Sequence, residues 1–432
     1  MSELPRGWTQ AQLPEVADIL DSMRVPVNRA ERDERPGQVP YYGATGQVGW
    51  IDRPLFNEEL CLVGEDGAPF LDRDKSKAYI IDGPSWVNNH AHVLRAMAGV
   101  TSNRFLKYIL DATDYRPYVN GTTRLKLTKG ALCAIPMPLP PLAEQRRIVA
   151  AIEEQFSRFD AAEASLRQAR VRLTGLRRGV LSSAVTVGDE RTVGDLLEGI
   201  EAGKSFKCHS RPAGPNEWGV VKVSAMTWGS FDERENKAVL SDDLADPRWE
   251  IRPGDLLLSR ANTTEYVGAT VLVGQCRSHL LLSDKSMRLL SKPNVDKAWL
   301  QLALSAPEMR AQMSAVATGT SDSMRNISQQ KVLNVRVNVP SLDDQRRIVA
   351  EVERQLSLVD SLAAATESAL RRSAALRRTI LARAFAGELV PQDPDDEPAS
   401  VLLERIAAQR AAAGNGRRPD SSRRHRKVRR EP

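Results

Sequence analysis

Three short stretches contain the residue types that bind phosphates, bind metals or cleave phosphodiesters. Residues 199–205, GIEAGKS, resemble a phosphate-binding loop, but that loop has four residues between its glycines and this stretch has three. His90 and His92 could ligate a metal, yet no cysteine or third histidine lies nearby in the sequence, which favours a hydrogen-bonded structural role. Residues 235–237, ENK, match the E-x-K pattern of nucleases without a persuasive acidic partner. None of these stretches predicts an active site.

Two further catalytic motifs do not occur in the sequence. It has no Asn/Asp-Pro-Pro-aromatic tetrapeptide for amino methyl transfer and no G-x-G-x-x-G for dinucleotide binding. We therefore expect a chain that is not an enzyme and binds no metal, so that any chemistry belongs to a partner chain.

A repeat dominates the sequence and predicts the elements around which the chain is built. LAEQRRIVA at 142–150 returns as LDDQRRIVA at 342–350. When 140–185 is aligned with 340–385 without a gap, 20 of 46 positions are identical. Each copy follows a proline-bearing extended run and has acidic residues in its first turn, where the helix dipole favours them. The repeat therefore predicts two helices that begin at the same point of each copy.

The apolar residues of each copy are spaced three and four apart over about 40 residues, which predicts a long amphipathic helix of about 60 Å with a coiled-coil-like seam. The natural partner of each helix is the other, packed antiparallel. The apolar positions are Ile148, Ile152, Phe156, Phe159, Leu166, Leu173, Leu176 and Val180 in the first copy, and Ile348, Val352, Leu356, Val359, Leu370, Leu376 and Ile380 in the second.

Composition sets the class of protein. A chain of 432 residues is too long for one core and predicts two or more domains. It has no apolar run long enough to span a membrane and no signal-peptide pattern, and its four scattered cysteines are expected to be reduced, which favours a cytoplasmic protein. The net charge is +6, and the tail from Arg417 to Arg430 carries eight Lys/Arg. This tail is expected to be disordered and could contact nucleic acid or keep the protein soluble.

The segments that precede the two helices are faintly related to each other. Each opens with a short apolar stretch, LPEVADILD (13–21) and VGDLLEGIE (193–201), which we interpret as helix-like. Strand-like runs follow in both, and each segment closes with a helix, a Gly-Thr loop and a strand. The order of elements repeats while most loop residues differ, which predicts one scaffold that carries two distinct recognition surfaces.

This layout resembles the DNA-specificity (S) subunit of type I restriction–modification systems. The matching residues include YYGATGQVGWID (41–52), VGEDGAPF (63–70), PLPPLAEQRRIVAAIE, VPSLDDQRRIVAEVERQ and the closing segment 384–410, and the resemblance covers nearly the whole chain before about residue 413. It implies an α+β, pseudo-two-fold symmetric protein in which two target-recognition domains are separated by two long helices packed as an antiparallel coiled coil. The segments would be 1–139 (first recognition domain), 140–187 (first spacer), 188–339 (second recognition domain), 340–390 (second spacer), 391–413 (C-terminal segment with a short helix) and 414–432 (basic tail).

The resemblance also implies partners. Double-stranded DNA would be bound as a bipartite, asymmetric target, and two methyltransferase subunits and nuclease–translocase subunits would join the chain. No cofactor is expected on this chain, because S-adenosylmethionine, ATP and Mg would bind those partners.

Candidate DNA-binding residues lie in the predicted loops and are of the types that contact phosphates or base edges. In the first domain they are Tyr41, Tyr42, Thr45, Lys75, Lys77, Asn88, Asn89, His90 and Arg124. In the second they are Lys204, Lys207, Arg260, Asn262, Thr263, Lys285, Ser286 and Arg325. For each of them an ordinary turn or core role is the competing interpretation.

A structural or adaptor protein built on a helical rod would also contain duplicated coiled-coil segments. The loop-rich globular segments with divergent polar loops favour DNA recognition, because an adaptor of that kind does not need them.

Overall fold

The computed structural model describes residues 4–227, 229–322 and 324–415 and divides into two compact units. The first unit is formed by the described residues up to Ser165 together with those from Ser368 onward, and the second by Leu166–Glu367. Each unit therefore contains one globular segment and one part of each long helix. No described helix is both long enough and apolar enough to cross a membrane.

The strands of the first unit are β1 (Thr9–Gln12), β2 (Ala17–Ile19), β3 (Val39–Gly43), β4 (Gly46–Ile51), β5 (Phe56–Asn57), β6 (Leu60–Gly64), β7 (Ala78–Ile81), β8 (Pro84–Val87), β9 (Ala91–Ala96), β10 (Val119–Asn120), β11 (Lys126–Leu127) and β12 (Pro136–Leu139). Its helices are α1 (Leu13–Val16), α2 (Arg29–Asp33), α3 (Asn103–Ala112), α4 (Lys129–Cys133), the first part of α5 (Leu142–Ser182) and the last part of α10 (Leu342–Phe385), with a 3₁₀ turn at Asp21–Met23.

Two four-stranded sheets form the first globular segment, in the orders β2-β9-β6-β7 and β4-β3-β8-β5. Alternate side chains of the central strand β6 face opposite layers. Cys61 and Val63 pack in the cluster that includes α3, whereas Leu60 and Leu62 pack in the cluster that includes β5 and β8 of the second sheet. All five β6 residues are buried because layers cover both faces of the strand.

The strands of the second unit are β13 (Asp189–Thr192), β14 (Leu197–Ala202), β15 (Gly219–Val221), β16 (Asn236–Ala238), β17 (Leu256–Ser259), β18 (Ala261–Asn262), β19 (Thr270–Leu272), β20 (Leu280–Leu281), β21 (Ser286–Ser291), β22 (Thr318–Ser321), β23 (Met324–Asn326) and β24 (Arg336–Val339). Its helices are α6 (Val193–Leu196), α7 (Lys297–Ser305), α8 (Pro307–Val316), α9 (Gln329–Leu333) and parts of α5 and α10 (Leu342–Phe385), with 3₁₀ turns at Ser183–Val185, Val223–Met226, Asp242–Leu244 and Pro247–Trp249.

The second globular segment repeats the layers of the first. Its main sheet has the order β14-β21-β17-β19, and a smaller sheet has the order β16-β15-β20. Leu256 and Leu258 of β17 pack in the cluster that contains α7, whereas Leu257 packs with residues of β15 and β20. The strands β15 and β20 run parallel, as β3 and β8 do in the first unit.

The stretches 13–21 and 193–201 are not the helices that their apolar residues predict. Each is helical for four residues, in α1 and α6, and then becomes a strand. The helical turns are capped, since Gln12 N–H donates to Glu15 (2.6 Å) and Thr192 N–H donates to Asp195 (2.9 Å). The helices end because β2 and β14 pair with β9 and β21, which satisfies their backbone groups better than an isolated helix would.

The two long helices run antiparallel within each unit. In the first unit, Asp160 contacts Arg377 at 2.7 Å and Glu163 accepts from Ser373 Oγ at 2.7 Å. In the second, Arg177 contacts Asp360. Residues late in one helix meet residues early in the other, which confirms the antiparallel packing. The fold class predicted from the sequence is therefore correct.

A buried glutamine explains part of the repeated phrase. Gln145 Nε2 donates to the carbonyls of Pro140 and Val100, both at 3.0 Å, and Gln145 Oε1 accepts from Thr101 Oγ1 at 2.8 Å. Gln345 donates in the same way to Pro340 at 3.0 Å and accepts from Asp296 N–H at 2.8 Å. In each unit this side chain connects the first turn of a long helix to the globular segment.

The C-terminal segment packs on the first unit. Helix α11 (Ala399–Asn415) begins where Ala399 N–H donates to Gly7 O at 2.9 Å, and Leu403 packs against the core of that unit. Arg147 in α5 contacts Asp396 at 2.6 Å. The predicted disordered tail from Arg417 lies outside the described residues, and the domain boundaries proposed from the sequence stay predictions.

Candidate nucleic-acid interface

Three segments that are far apart in the sequence meet at one place in the first unit. They are the turn after β6 (residues 65–67), the turn between β8 and β9 (residues 88–90) and the β10–β11 hairpin. Glu65 N–H donates to His90 O, and Leu127 N–H donates to Glu65 O, both at 2.7 Å. Backbone hydrogen bonds thus hold the three segments together without any side chain.

Asp66 lies at the centre of the exposed layer of this site. One of its carboxylate oxygens is 2.7 Å from His90 Nδ1 and 2.7 Å from Arg124 Nη2. Exposed Asn89 belongs to the same turn as His90. Thr45 lies in the turn that joins β3 and β4, and Asn88 N–H donates to Tyr42 O beside that turn at 3.1 Å. Among the predicted residues, the structure therefore brings Thr45, Asn89, His90 and Arg124 to one surface.

A buried layer supports these residues. His92 Nδ1 is 2.6 Å from Asp21, and His92 Nε2 is 2.9 Å from the carbonyl of Leu127 in the hairpin. Burial acts to raise the pKa of Asp21, but the hydrogen bond and charge of His92, helped by Val93 N–H and Arg24, outweigh it and leave the pKa below its usual range. Asp21 is therefore an ionised acceptor, and His92 has a structural role.

Asp21, Glu65 and His92 have their ligand atoms close enough together to surround an ion. The hydrogen bonds argue against such a site, because a carboxylate and a carbonyl already occupy both ring nitrogens of His92. Arg24 also contacts Glu65 at 2.7 Å and Asp21 at 3.4 Å, so a positive charge already lies between the two carboxylates. The contacts therefore describe an ion-pair network.

The second unit brings the corresponding three segments together. Arg260, in the turn after β17, donates its N–H to Lys285 O at 2.8 Å, and Lys285 lies in the turn between β20 and β21. Ile327 N–H, just after β23, donates to Arg260 O at 3.0 Å. Asn262 and Arg325 pair between β18 and β23, and Lys204 pairs with Ser283. The site therefore contains Lys204, Arg260, Asn262 and Lys285.

The two sites differ in charge. In the first, cations pair with acids: Arg24 and Lys126 contact Glu65, and Arg124 contacts Asp66. In the second, neither Arg260 nor Lys285 forms an ion pair with a carboxylate of the described residues; Arg260 instead bonds the carbonyl of Asp284 at 3.3 Å. The same backbone arrangement thus presents two different sets of polar groups.

Four of the residues predicted to contact DNA are buried. Tyr41 and Ser286 lie in strands β3 and β21 and not in the predicted loops, whereas Lys77 and Asn88 do lie in loops. The phenol of Tyr41 donates to Val27 O (2.9 Å), and the ammonium of Lys77 donates to Asp72 O (2.7 Å). Asn88 accepts from His90 N–H at 2.8 Å, and Ser286 bonds a neighbouring serine hydroxyl. All four side chains make internal hydrogen bonds, as the competing core interpretation expected.

The remaining predicted DNA-binding residues lie at the margins of the two sites or outside them. Tyr42 is half-buried against Tyr79, and Arg325 bonds the carbonyl of Ala317 at 2.6 Å. Lys75 pairs with Asp72 at 3.4 Å in a separate loop. The exposed Lys207 lies in the segment beside the edge strand β16, whereas the exposed Thr263 follows Asn262 directly in the second site.

Sequence reasoning missed Asp66, Glu65 and Arg24, which organise the first site. The candidates were residue types that donate hydrogen bonds to phosphates or bases, and carboxylates do not belong to that set. A usable pattern was present, since the acidic pair of VGEDG (63–67) directly follows a buried strand, where functional turns often lie.

Residues 5–169 match the family model of the type I restriction modification DNA specificity domain. The chain is similar to the type I restriction enzyme EcoKI specificity subunit of Escherichia coli strain K12, with 29% identity over 310 residues. That alignment covers 65% of this chain and 65% of the relative, just under two thirds of its length. Similarity to the EcoBI specificity subunit of Escherichia coli is 24% over 465 residues, covering 94% of this chain and 93% of that one.

A solved structure shares the fold. It comes from a study of the structural basis of complex assembly and conformational transition of the type I R-M system. Its TM-score is 0.68 at 19% identity, and the match covers 90% of this chain and 100% of that one. The family-model match thus shows a type I restriction modification DNA specificity domain in residues 5–169, and the duplicated helices and paired globular segments agree with the similarity of the chain to type I specificity subunits.

Proposed function

We propose that this chain binds a bipartite, asymmetric DNA sequence and directs adenine methyltransferase and nuclease–translocase subunits to it. The observation that carries the proposal is that each unit brings the same three segments together at one surface and equips them with different polar side chains.

DNA recognition suits these two surfaces. Phosphate contacts fix the register of a protein on the duplex, while Arg, Asn and similar side chains distinguish bases through groove edges. The first surface offers Asn89, His90 and Arg124, and the second offers Arg260 and Asn262. Because the two sets differ, the two half-sites are expected to differ as well.

Partner docking is supported by apolar side chains on the long helices. Leu176 and Leu376 occupy the same position of the repeat and are 52% and 50% exposed. Leu358 and Leu362, one helical turn apart, are also largely exposed. Exposed apolar residues grouped along a helix are typical of surfaces that another chain covers. S-adenosylmethionine, ATP and Mg would bind to the partners, and the assembly would act in the cytoplasm.

Co-purification tests the partner part of this proposal. The full-length chain, co-expressed with a type I methyltransferase chain from the same organism, is expected to retain that chain through size-exclusion chromatography. The double variant Leu358→Asp, Leu362→Asp should lose it, whereas Ala364→Asp, also exposed on α10, should not. Equal retention by all three proteins would contradict docking on this face.

DNA binding and catalysis are tested separately. The complex is expected to prefer one duplex sequence, and the chain alone is expected neither to methylate nor to cut DNA. An adaptor protein would retain partners but show no sequence preference. Methylation or cleavage by the purified chain would overturn its assignment as a subunit without catalytic residues.

A further inference from the structure

The carboxylate of Asp66 is positioned between two potential base-contacting side chains. It lies 2.7 Å from both His90 and Arg124, and its own side chain is 21% exposed while that of Arg124 is 59% exposed. The acid is thus more enclosed than the arginine that it holds. A carboxylate at a DNA-binding surface repels the phosphates. Its contacts with the two donors therefore indicate that it orients their side chains.

The backbone around Asp66 is fixed on both sides. Asp66 pairs with Lys126 of the hairpin, and Gly67 N–H donates to Leu125 O at 3.1 Å. Gly67 has a φ of +69°, which favours glycine, and a Cβ at this position would lie 3.0 Å from Nε of Arg124. The absence of a side chain therefore lets the guanidinium of Arg124 lie against the turn.

The buried layer restrains the same groups from below. Glu65, next to Asp66, pairs with Arg24 at 2.7 Å and with Lys126 at 3.2 Å. His92 bonds the carbonyl of Leu127 at the end of the hairpin that carries Arg124. Asp66 and Arg124 are therefore attached to one rigid network and do not form an isolated surface pair.

A guanidinium held in this way keeps donors for DNA. Arginine has five N–H groups, and Asp66 accepts from Nη2 alone among the contacts of Arg124 described. The remaining donors can make the paired hydrogen bonds to O6 and N7 of guanine that are the commonest specific arginine contact in the major groove. A carboxylate that fixes the arginine lowers the entropy lost when those bonds form.

We propose that Asp66 is a positioning residue that holds Arg124 for paired hydrogen bonds with a guanine in the half-site bound by the first unit. The inference rests on the proposed DNA-binding function. It concerns one half-site, because the residue of the second unit in the place of Asp66 is Ala261, which pairs with Asn326 as Asp66 pairs with Lys126 and has no carboxylate.

Selection from randomised duplexes tests this with the full-length chain in its methyltransferase complex. The wild type is expected to require guanine at one position of one half-site. Asp66→Asn should reduce discrimination at that position by about 10-fold while overall affinity changes by only a few-fold. Arg124→Lys should relax the same position, because lysine lacks the paired donors. The other half-site should be unchanged in both variants.

Asp114→Asn is the matched control, since Asp114 pairs with Arg116 at the surface of the same unit but outside this site. It is expected to leave both half-sites intact. If Asp66→Asn lowered affinity for all duplexes equally and kept the guanine preference, Asp66 would be merely structural and the inference would be wrong. If the wild type showed no sequence preference, the proposed function itself would fail.

Discussion

Arg377 in α10 lies 2.7 Å from Asp160 in α5. At the equivalent positions of the other copy of the repeat, Arg177 in α5 contacts Asp360 in α10. The same pair of residue types therefore joins the long helices in each unit with the helices exchanged. Because 160 corresponds to 360 and 177 to 377, this exchange is what the predicted pseudo-two-fold symmetry requires. The surroundings of the two pairs nevertheless differ, and that difference is testable.

The Arg377 pair is expected to contribute more to stability than the Arg177 pair. Arg377 also contacts Glu163 at 3.1 Å and lies 4.8 Å from the ring centre of Phe156, whereas Arg177 and Asp360 are both largely exposed. Arg377→Ala should lower the free energy of unfolding by about 1–2 kcal/mol, and Arg177→Ala by about 0.2–1 kcal/mol. Urea denaturation measures both, and a larger loss for Arg177→Ala would contradict this order.

The two buried glutamines are expected to contribute more to the free energy of unfolding than an exposed glutamine does. Gln145→Met leaves the carbonyls of Pro140 and Val100 without this donor, which should cost about 1–3 kcal/mol. Gln345→Met should act similarly in the second unit, and the exposed Gln168→Met should change little. Amide hydrogen exchange in each unit separates the effects. Equal protection in all three variants would show that these side chains do not anchor the helices.

The Asp21–His92 contact predicts a pH dependence. The pKa of Asp21 lies below its ordinary value of 3.8, so its ionised form stabilises the fold above that pH, and the contribution is lost as pH falls through the folded-state pKa. Asp21→Asn should therefore be less stable than the wild type at pH 7, with the difference narrowing below about pH 4.

Urea denaturation from pH 7 to pH 3 measures that difference. Asp33→Asn is a suitable control, because Asp33 is an exposed acid whose contact with Arg29 is 3.9 Å. A difference between Asp21→Asn and the wild type that stays constant or grows toward pH 3 would argue against an ionised Asp21 in the native state.

The basic tail is expected to add affinity without specificity. Its eight Lys/Arg between Arg417 and Arg430 could release counterions from any duplex. A chain that ends before Arg417 should bind all sequences more weakly and show a flatter dependence of affinity on salt. Affinities measured across a salt series, for a target and a scrambled duplex, test this, and a changed methylation motif would count against it.

The sequence predicted the long helices because their apolar spacing persists over about 40 residues, a pattern that few other structures produce. It failed at residues 13–21, where pairing of β2 with β9 overrides a helix-like apolar pattern. It also placed Tyr41 and Ser286 in loops, since strand pairing depends on residues distant in the chain. The site around Asp66 could not be predicted for the same reason, because its three segments meet only in the folded chain.

The long helices are expected to set the distance between the two half-sites. Deleting four residues, about one helical turn or 6 Å of rise, from 161–175 should change the unread gap by a base pair or two, or abolish assembly. The half-site sequences should stay the same, because the deletion leaves both globular segments intact. The corresponding deletion from 361–375 provides a matched comparison in the second copy.

Methylation-sensitive sequencing of a host that expresses the complex tests the central claim most directly. For the wild type we expect one split, non-palindromic motif with an adenine methylated in each half, on opposite strands. For the four-residue deletion we expect the same two halves with a different gap. New half-site bases with an unchanged gap, or an uninterrupted palindrome in the wild type, would contradict the account.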